Sequence, residues 1–255
     1  MLPEGKEKGM SRVLKVAVII PCCNEQDSIL NLVNEIENTV FPAKYSIYPL
    51  VINDCSTDNT RDILISNHIA FIDLSVNLGI GGAVQAGFKY ACQNDFDIAV
   101  QMDGDGQHPP GELEKVLQPI FNNQADVVIG SRYIVKQGFQ SSALRRFGIN
   151  YFKRLNKFLT GVEIHDSTSG YRAISKKTME IVSDYYPDEY PEPESIVLYS
   201  LNNLVIKEVP VIMRERTGGQ SSIRTYKTIY YMFKVTLGSI FLYIRLKLNG
   251  KRHFI

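Results

Sequence analysis

The stretch from Val13 to Ile20 constrains this chain more than any other, because it is dominated by valine and isoleucine and hardly alternates between apolar and polar residues. A strand with one wet face alternates, so an uninterrupted β-branched run implies a strand covered on both faces, as in a parallel sheet between two helical layers. Pro21-Cys22-Cys23-Asn24-Glu25 ends the run, and apolar residues then recur at helical spacing at Ile29, Leu30, Leu32, Val33 and Ile36, with Asp27 or Ser28 as N-cap. The unit repeats. Tyr45 to Ile52 is a second predicted strand, closed by the polar string Asn53 to Thr60, in which Thr57 or Asp58 caps the next helix. Ala70 to Leu74 is a third, followed by the glycine-rich segment Asn77 to Gly87, which opens a helix through Ala91; Phe96 to Val100 is a fourth. Gly111 to Phe121 reads as a helix, Asp126 to Ile129 as a strand, Ala143 to Leu159 as a basic amphipathic helix and Val205 to Val211 as a further strand. Such repetition predicts an α/β architecture with a mostly parallel central sheet, whose polar loops collect at the edge where open sheets bind ligands.

Composition sets the bounds. The 255 residues, 44% hydrophobic and 22% charged, suit one sizeable domain with a full core. A net charge of +1 provides no field for nucleic acid. The four cysteines, Cys22, Cys23, Cys55 and Cys92, lack zinc-ligand spacing, and a reduced, cytosolic chain is expected. Met1 to Lys15 has no apolar signal core, so export is not expected, and no uninterrupted apolar span reaches transmembrane length.

Two motifs carry chemistry. Val100-Gln101-Met102-Asp103-Gly104-Asp105-Gly106-Gln107-His108-Pro109-Pro110 places two carboxylates one residue apart at a strand end, with Gln107 as a neutral oxygen and Pro-Pro opening a helix. That set suits a hard divalent cation that also holds phosphate oxygens, and a solvated acidic turn is the competing reading. Gly79-x-Gly81 begins a dinucleotide fingerprint, but Val84 stands where the third small residue belongs, and no Gly-Lys-Ser/Thr follows, so nicotinamide and P-loop enzymes are disfavoured. Close helix packing and direct phosphate contact both stand as roles for these glycines.

The clusters Pro21-x-x-Asn24-Glu25, Asp54-x-Ser56-x-Asp58, Asn77-x-Gly79, Asp103-x-Asp105-x-Gln107, Gly130-Ser131-Arg132-Tyr133 and Ser169-Gly170-Tyr171-Arg172 occur in this order. Together, from about Lys15 to Ser222, they resemble the family 2 glycosyltransferases of the GT-A fold, especially the branch of dolichyl- and polyprenyl-phosphate sugar synthases. The resemblance implies a Rossmann-like sheet, a catalytic domain over 1–222 with its core from about 15, and a C-terminal segment over 223–255. It implies a nucleotide-sugar donor, with Pro21, Glu25 and Asp54 at the nucleoside, Asp103, Asp105 and Gln107 at Mg²⁺ or Mn²⁺, and Arg132 at the donor phosphates. The metal would offset charge on the leaving diphosphate. The chain also departs from the pattern: Cys23 stands where an aromatic is frequent, Asn53 and Cys55 where an Asp and a Gly are, and Ser222 replaces the Lys of Gly-x-Ser-Lys.

Family 2 enzymes invert the anomeric centre by single displacement, and two acceptors remain open. A polyprenyl phosphate is largely ionised near neutral pH, its second pKa being about 6, and needs positioning more than a base. A hydroxyl of a lipid-linked glycan needs a carboxylate, for which Asp166 and Glu194 are the candidates. Arg172, Arg214, Arg216 and Ser221 are candidates for acceptor or phosphate contacts. Tyr226 to Ile244 carries apolar residues at helical spacing beside Lys227, Lys234 and Arg245, with Lys247, Lys251 and Arg252 following. Such a helix is expected on the inner, cytoplasmic face of a membrane or on a small membrane protein, with packing on its own domain as the alternative. A homo-oligomer and, from another class, a nucleotide-sugar-binding scaffold without turnover complete the readings.

Overall fold

The computed structural model describes residues 12–135, 137–138, 143–215 and 225–248. Its strands are β1 (Leu14–Cys22), β2 (Tyr45–Asn53), β3 (Phe71–Asp73), β4 (Ile98–Gln101), β5 (Val127–Ser131), β6 (Arg172–Ser175) and β7 (Ile206–Pro210). The helices are α1 (Ile29–Asn38), α2 (Thr60–Ser66), α3 (Gly79–Gln93), α4 (Leu113–Phe121), α5 (Ala143–Thr160), α6 (Lys176–Asp184), α7 (Pro191–Leu201) and α8 (Thr225–Leu248). A single 3₁₀ turn, Pro110–Glu112, leads into α4.

The strands form one seven-stranded sheet in the order β3-β2-β1-β4-β6-β5-β7. Pairing is parallel except at β6, which runs antiparallel to both β4 and β5. This is the mostly parallel α/β sheet flanked by helices that the sequence predicts.

The unbroken apolar run of β1 has the predicted cause. Val16, Val18 and Ile20 enter a core shared with α1, α2 and α4, whereas Ala17 and Ile19 enter a second core shared with α3, α6 and α7. Full burial of each such valine or isoleucine contributes about 1.5–3 kcal/mol. The helical layer on the second face presses so close that a methyl on Gly87 of α3 would overlap Ile19.

The sequence reading omits β6, α6 and α7. At four residues, with a buried arginine at its start, β6 lacks the length and apolar run that mark the other strands. Ser28 is the N-cap of α1 as expected, but its hydroxyl makes no cap hydrogen bond and donates instead to the Gly104 carbonyl at 2.8 Å.

Among the described residues no helix is long and apolar enough to cross a membrane. Helix α8 divides its faces. Val235, Ser239 and Leu242 are buried, whereas Tyr230, Phe233, Leu237, Phe241, Ile244 and Leu248 form an exposed stripe at helical spacing.

Candidate active site

The loops that follow β1, β2 and β4 meet at the carboxyl edge of the sheet, the place a doubly wound topology reserves for ligands. The first two loops are laced together. Asn24, at φ 58°, accepts the backbone N–H of Thr57 at 2.7 Å on its Oδ1 and donates its own N–H to Ser56 Oγ at 3.0 Å. Gln26 N donates to Asp58 Oδ2 at 3.2 Å, and Glu25 N donates to Thr60 Oγ1 at 3.0 Å. Asp58 Oδ1 also accepts from Thr60 N at 2.9 Å, but the N-cap of α2 is Asn59, one residue beyond the predicted Thr57 or Asp58.

Of the residues assigned to the nucleoside, Pro21 is buried at the end of β1, and Glu25 stands partly exposed on the loop, its Oε2 3.0 Å from the Ser28 hydroxyl oxygen. Asp54 is buried, and its two oxygens accept Leu78 N at 2.7 Å and Gly79 N at 2.9 Å. It therefore caps α3, where Gly79 adopts φ 75° without a Cβ penalty. Gly81 N donates to Asp188 O at 2.7 Å, and Gly87 packs on Ile19, so these two glycines of the cluster serve close approach.

The acidic loop rests on this base. A methyl on Gly104 would lie 3.1 Å from Pro21 O. The Asp103 side chain is 32% exposed and faces the crevice, whereas Asp105 is only 2% exposed and its Oδ1 accepts Gln107 N at 3.0 Å. Asp103 is held from two sides. Gln101 Nε2 donates to its Oδ1 at 3.1 Å. Its backbone N–H donates to His108 Nδ1 at 3.0 Å, which leaves His108 Nε2 to carry the ring proton, 3.9 Å from Asp103 Oδ2. The His108 ring stacks on Tyr171 with centroids 4.8 Å apart. Gly170 closes the back of the loop: a methyl there would lie 2.8 Å from Gln101 Nε2 and 3.0 Å from Asp103 Oδ2.

Among the described residues no three His, Cys, Asp or Glu side chains cluster closely enough to hold a metal ion alone. The donor set is one open carboxylate with a buried one behind it, which fits a hard cation whose remaining ligands are diphosphate oxygens.

The acceptor side differs from the sequence expectations. Asp166 is fully buried, and both of its oxygens hold Arg132: Nε to Oδ2 at 2.7 Å and Nη2 to Oδ1 at 2.8 Å. Burial works against the Arg132 charge, but the Asp166 carboxylate outweighs it and holds this guanidinium above its ordinary range. A carboxylate saturated in this way anchors an arginine and is not poised as a base. Arg172 is likewise buried. Its guanidinium donates to Ser169 O at 2.7 Å, Ser167 O at 2.9 Å and Ser195 Oγ at 2.7 Å, tying the turn before β6 to α7 rather than meeting phosphate.

Glu194 points away from Asp103. Its carboxyl packs over Gly238 of α8, in a 420 Å³ cavity with Tyr185, Phe241 and Arg245, and burial pushes its pKa up to about 7. The helix turns about 100° per residue, so two positions along α7 reverse the side-chain direction. Glu192 is thus the residue that faces the loop. It bonds to Gln101, and burial, opposed by Arg172 and reinforced by Asp103, raises its pKa. Sequence reasoning missed Glu192 because the start of α7 at Pro191 was needed to orient the Pro-Glu-Pro-Glu pair.

Arg214 sits at the crevice, donating its N–H to Gln107 O at 3.0 Å, while its guanidinium pairs with both oxygens of Glu35 at 2.7 and 2.8 Å. Arg216 and Ser221 lie outside the described residues.

The model for the family described as glycosyl transferase family 2 matches residues 17–181. The UDP-N-acetylglucosamine--dolichyl-phosphate N-acetylglucosaminyltransferase of Methanococcus voltae is 30% identical over 88% of this chain and 97% of its own length. The polyprenol monophosphomannose synthase of Mycolicibacterium smegmatis is 30% identical over 87% and 85%. Among solved structures, glucosyl-3-phosphoglycerate synthase from Mycobacterium tuberculosis, in complex with Mn²⁺, UDP-glucose and phosphoglyceric acid, is similar with a TM-score of 0.67. It has 16% identity and covers 90% of this chain and 80% of its own.

Proposed function

The chain belongs to glycosyl transferase family 2, and from that premise we propose that it moves a hexose or N-acetylhexosamine from a UDP-sugar to a polyprenyl phosphate at the cytoplasmic face of a membrane. The observation that carries this reading is the Asp103 carboxylate, held toward the crevice by Gln101 and His108 where the loops after β1 and β2 adjoin it. Two relatives whose names specify dolichyl and polyprenol phosphates support the acceptor.

In this reading the nucleoside lies across the laced loops of Glu25 and Asp54, and the diphosphate lies over Asp103. Glu25, Asp103 and Glu192 all present acid to a ligand that is itself anionic, so a counter-cation is required, Mg²⁺ or Mn²⁺ held by Asp103 with Asp105 and Gln107 behind it. When bound, that ion offsets the charge building on the departing diphosphate. Arg132 has its charge balanced by Asp166 and serves to fix the floor of the site, whereas Arg214 supplies positive charge to the phosphates when it exchanges Glu35 for them. An ionised acceptor phosphate attacks without a base, so the chain's task is to align it and neutralise it.

Helix α8 suits the lipid side of this reaction. Its exposed stripe is bordered by Arg245 and Lys247, the pattern of a helix that lies in the headgroup plane of an anionic bilayer.

Glu192 favours a second reading, transfer to a sugar hydroxyl, since it puts a carboxylate with a raised pKa beside the acidic loop. One experiment separates the two: labelled UDP-sugars and Mg²⁺ or Mn²⁺ are incubated with wild type and Glu192→Gln in the presence of both a short polyprenyl phosphate and a lipid-linked glycan. A sugar-phosphate-lipid product formed by both enzymes upholds the first reading. A product found only on glycan hydroxyls and lost in Glu192→Gln replaces it with the second.

A further inference from the structure

The sequence departs from its family pattern at two cysteines, and the fold brings them to the same place. Strands β1 and β2 are parallel neighbours with Cys22 opposite Asn53. Beyond that rung the two loops stay joined, by Asp54 N donating to Cys22 O at 2.8 Å and by Asn24 N donating to Ser56 Oγ at 3.0 Å. Cys23 and Cys55 lie between those two hydrogen bonds, one on each loop, and both are exposed, whereas Cys22 is buried. Extending the β1–β2 register by one step places Cys23 opposite Asp54, the residue before Cys55, and Cys55 acts electrostatically on the Cys23 thiol, so a small loop movement suffices to reach the Cα separation of roughly 4.4–6.8 Å that a disulfide spans. Asn77 Nδ2 ties the pair to the site, reaching Cys23 Sγ at 3.5 Å and Asp54 O at 3.1 Å.

Backbone conformation adds an independent observation. Cys55 has φ 56°, a left-handed geometry that glycine adopts freely and other residues adopt at a cost of order 1 kcal/mol. A cysteine held there, at the crevice mouth, points to a role for its thiol.

We infer that Cys23 and Cys55 form a reversible covalent clasp across the mouth of the donor crevice, closed by thiol-disulfide exchange with a small-molecule disulfide. One cysteine thiolate attacks the small disulfide, forming a mixed disulfide and expelling one small thiolate. The second cysteine thiolate then attacks the protein sulfur of that mixed disulfide, forming the Sγ–Sγ bond and expelling the other. The two cysteine protons end on the two released thiols; the protein is oxidised by two electrons and the small disulfide is reduced. Partial desolvation and the nearby Asp54 and Asp58 carboxylates raise the Cys23 pKa, so closure quickens as pH rises. Closing draws Cys23 Sγ off Asn77 and bridges the two loops on which, in the reading above, the nucleoside lies. Donor binding therefore weakens.

The clasp rests on that reading only for its effect on UDP. The full chain is treated with oxidised glutathione at pH 8, digested with trypsin without reduction, and titrated with UDP and Mn²⁺ by calorimetry. A linked pair of peptides, Val16–Lys44 with Tyr45–Arg61, is expected in wild type and in Cys22→Ser and absent from Cys23→Ser and Cys55→Ser. The oxidised wild type is expected to bind UDP at least tenfold more weakly, with recovery after dithiothreitol, while Cys55→Ser keeps its affinity through the same treatment. Mixed disulfides alone, or a link that persists in Cys23→Ser, would overturn the clasp; a link with unchanged UDP affinity would overturn its effect on the donor. Failure of the reduced protein to bind UDP would count against the donor reading and leave the peptide result to decide the clasp.

Discussion

Gly170→Ala is the most economical test of the acidic loop. The added methyl lies 2.8 Å from Gln101 Nε2 and 3.0 and 3.1 Å from the Asp103 carboxylate oxygens, whereas ordinary contact begins at 3.4 Å. Gln101 is fully buried and cannot swing into solvent, so the Gln101 and Asp103 pair must move together by several tenths of an ångström toward the crevice. Overpacking of this kind costs about 1–3 kcal/mol, and in a chain of this size each kcal/mol lowers Tm by about 2–4 °C. The fold should survive with a Tm lowered by about 2–12 °C. Catalysis should suffer more, because a misplacement of about 1 Å can cost about 100-fold, and a fall of about 10- to 100-fold in kcat/KM is expected here. Gly111→Ala is the matched control, since a methyl there meets nothing within 4 Å. Circular dichroism melts and initial rates with UDP-sugar and Mn²⁺ read both effects. A Gly170→Ala enzyme that melts lower yet turns over within twofold of wild type would refute the claim that this carboxylate's position governs the reaction.

Asp166→Asn leaves the buried Arg132 charge without its counter-ion, and urea unfolding should show a loss of about 3–5 kcal/mol; an unchanged midpoint would mean that water reaches the arginine. Glu194 is raised from 4.5 to about 7, so the folded state holds its proton more tightly than the unfolded chain does. Its stabilising contribution is present below pH 4.5, declines between 4.5 and 7 and stays lost above, so Glu194→Gln should flatten the dependence of Tm on pH across that window. Phe233 and Phe241 are 65% and 64% exposed, so replacing both by serine should leave Tm nearly unchanged while reducing co-sedimentation with anionic liposomes. Binding of the wild type should also fall with added salt. Equal sedimentation of variant and wild type would take α8 off the bilayer.

The half of the chain that builds the donor crevice was the more legible from sequence, and the reasons are local. Strands β1, β2 and β4 announce themselves by continuous apolar runs, and the polar loops that follow them are fixed by chain order at one edge of a parallel sheet. What sequence could not supply was orientation. Asp54 and Arg172 carry ligand-binding residue types but spend their polar atoms on backbone and side-chain partners inside the protein, which depends on neighbours distant in the chain. Glu192 and Glu194 are interchangeable on paper until the helix that bears them has a defined start. His108 was visible in the acidic stretch, yet its bond to the Asp103 amide required a turn whose geometry no spacing encodes.

The reversed strand β6 also divides the molecule by ancestry of contact. Strands β3, β2, β1 and β4 come from one contiguous stretch, Leu14–Gln101, and complete their sheet without any later residue. Within the sheet, the later strands are joined through β6, whose Arg172 pairs with Gln101 of β4 on one side and with Ile129 of β5 on the other, while α6 packs on α3 outside the sheet. The sheet thus has a seam. Because early, sequence-local pairing forms before distant pairing closes its larger loops, the Leu14–Gln101 half, which in the proposed reading holds the nucleotide, is expected to assemble first during synthesis, and the later half to dock along β6 and against α3. In the proposed reading, a seam of that kind lets elements on its far side, α5, α7 and α8 among them, be exchanged for new acceptors while the residues assigned to the departing nucleotide stay as they were.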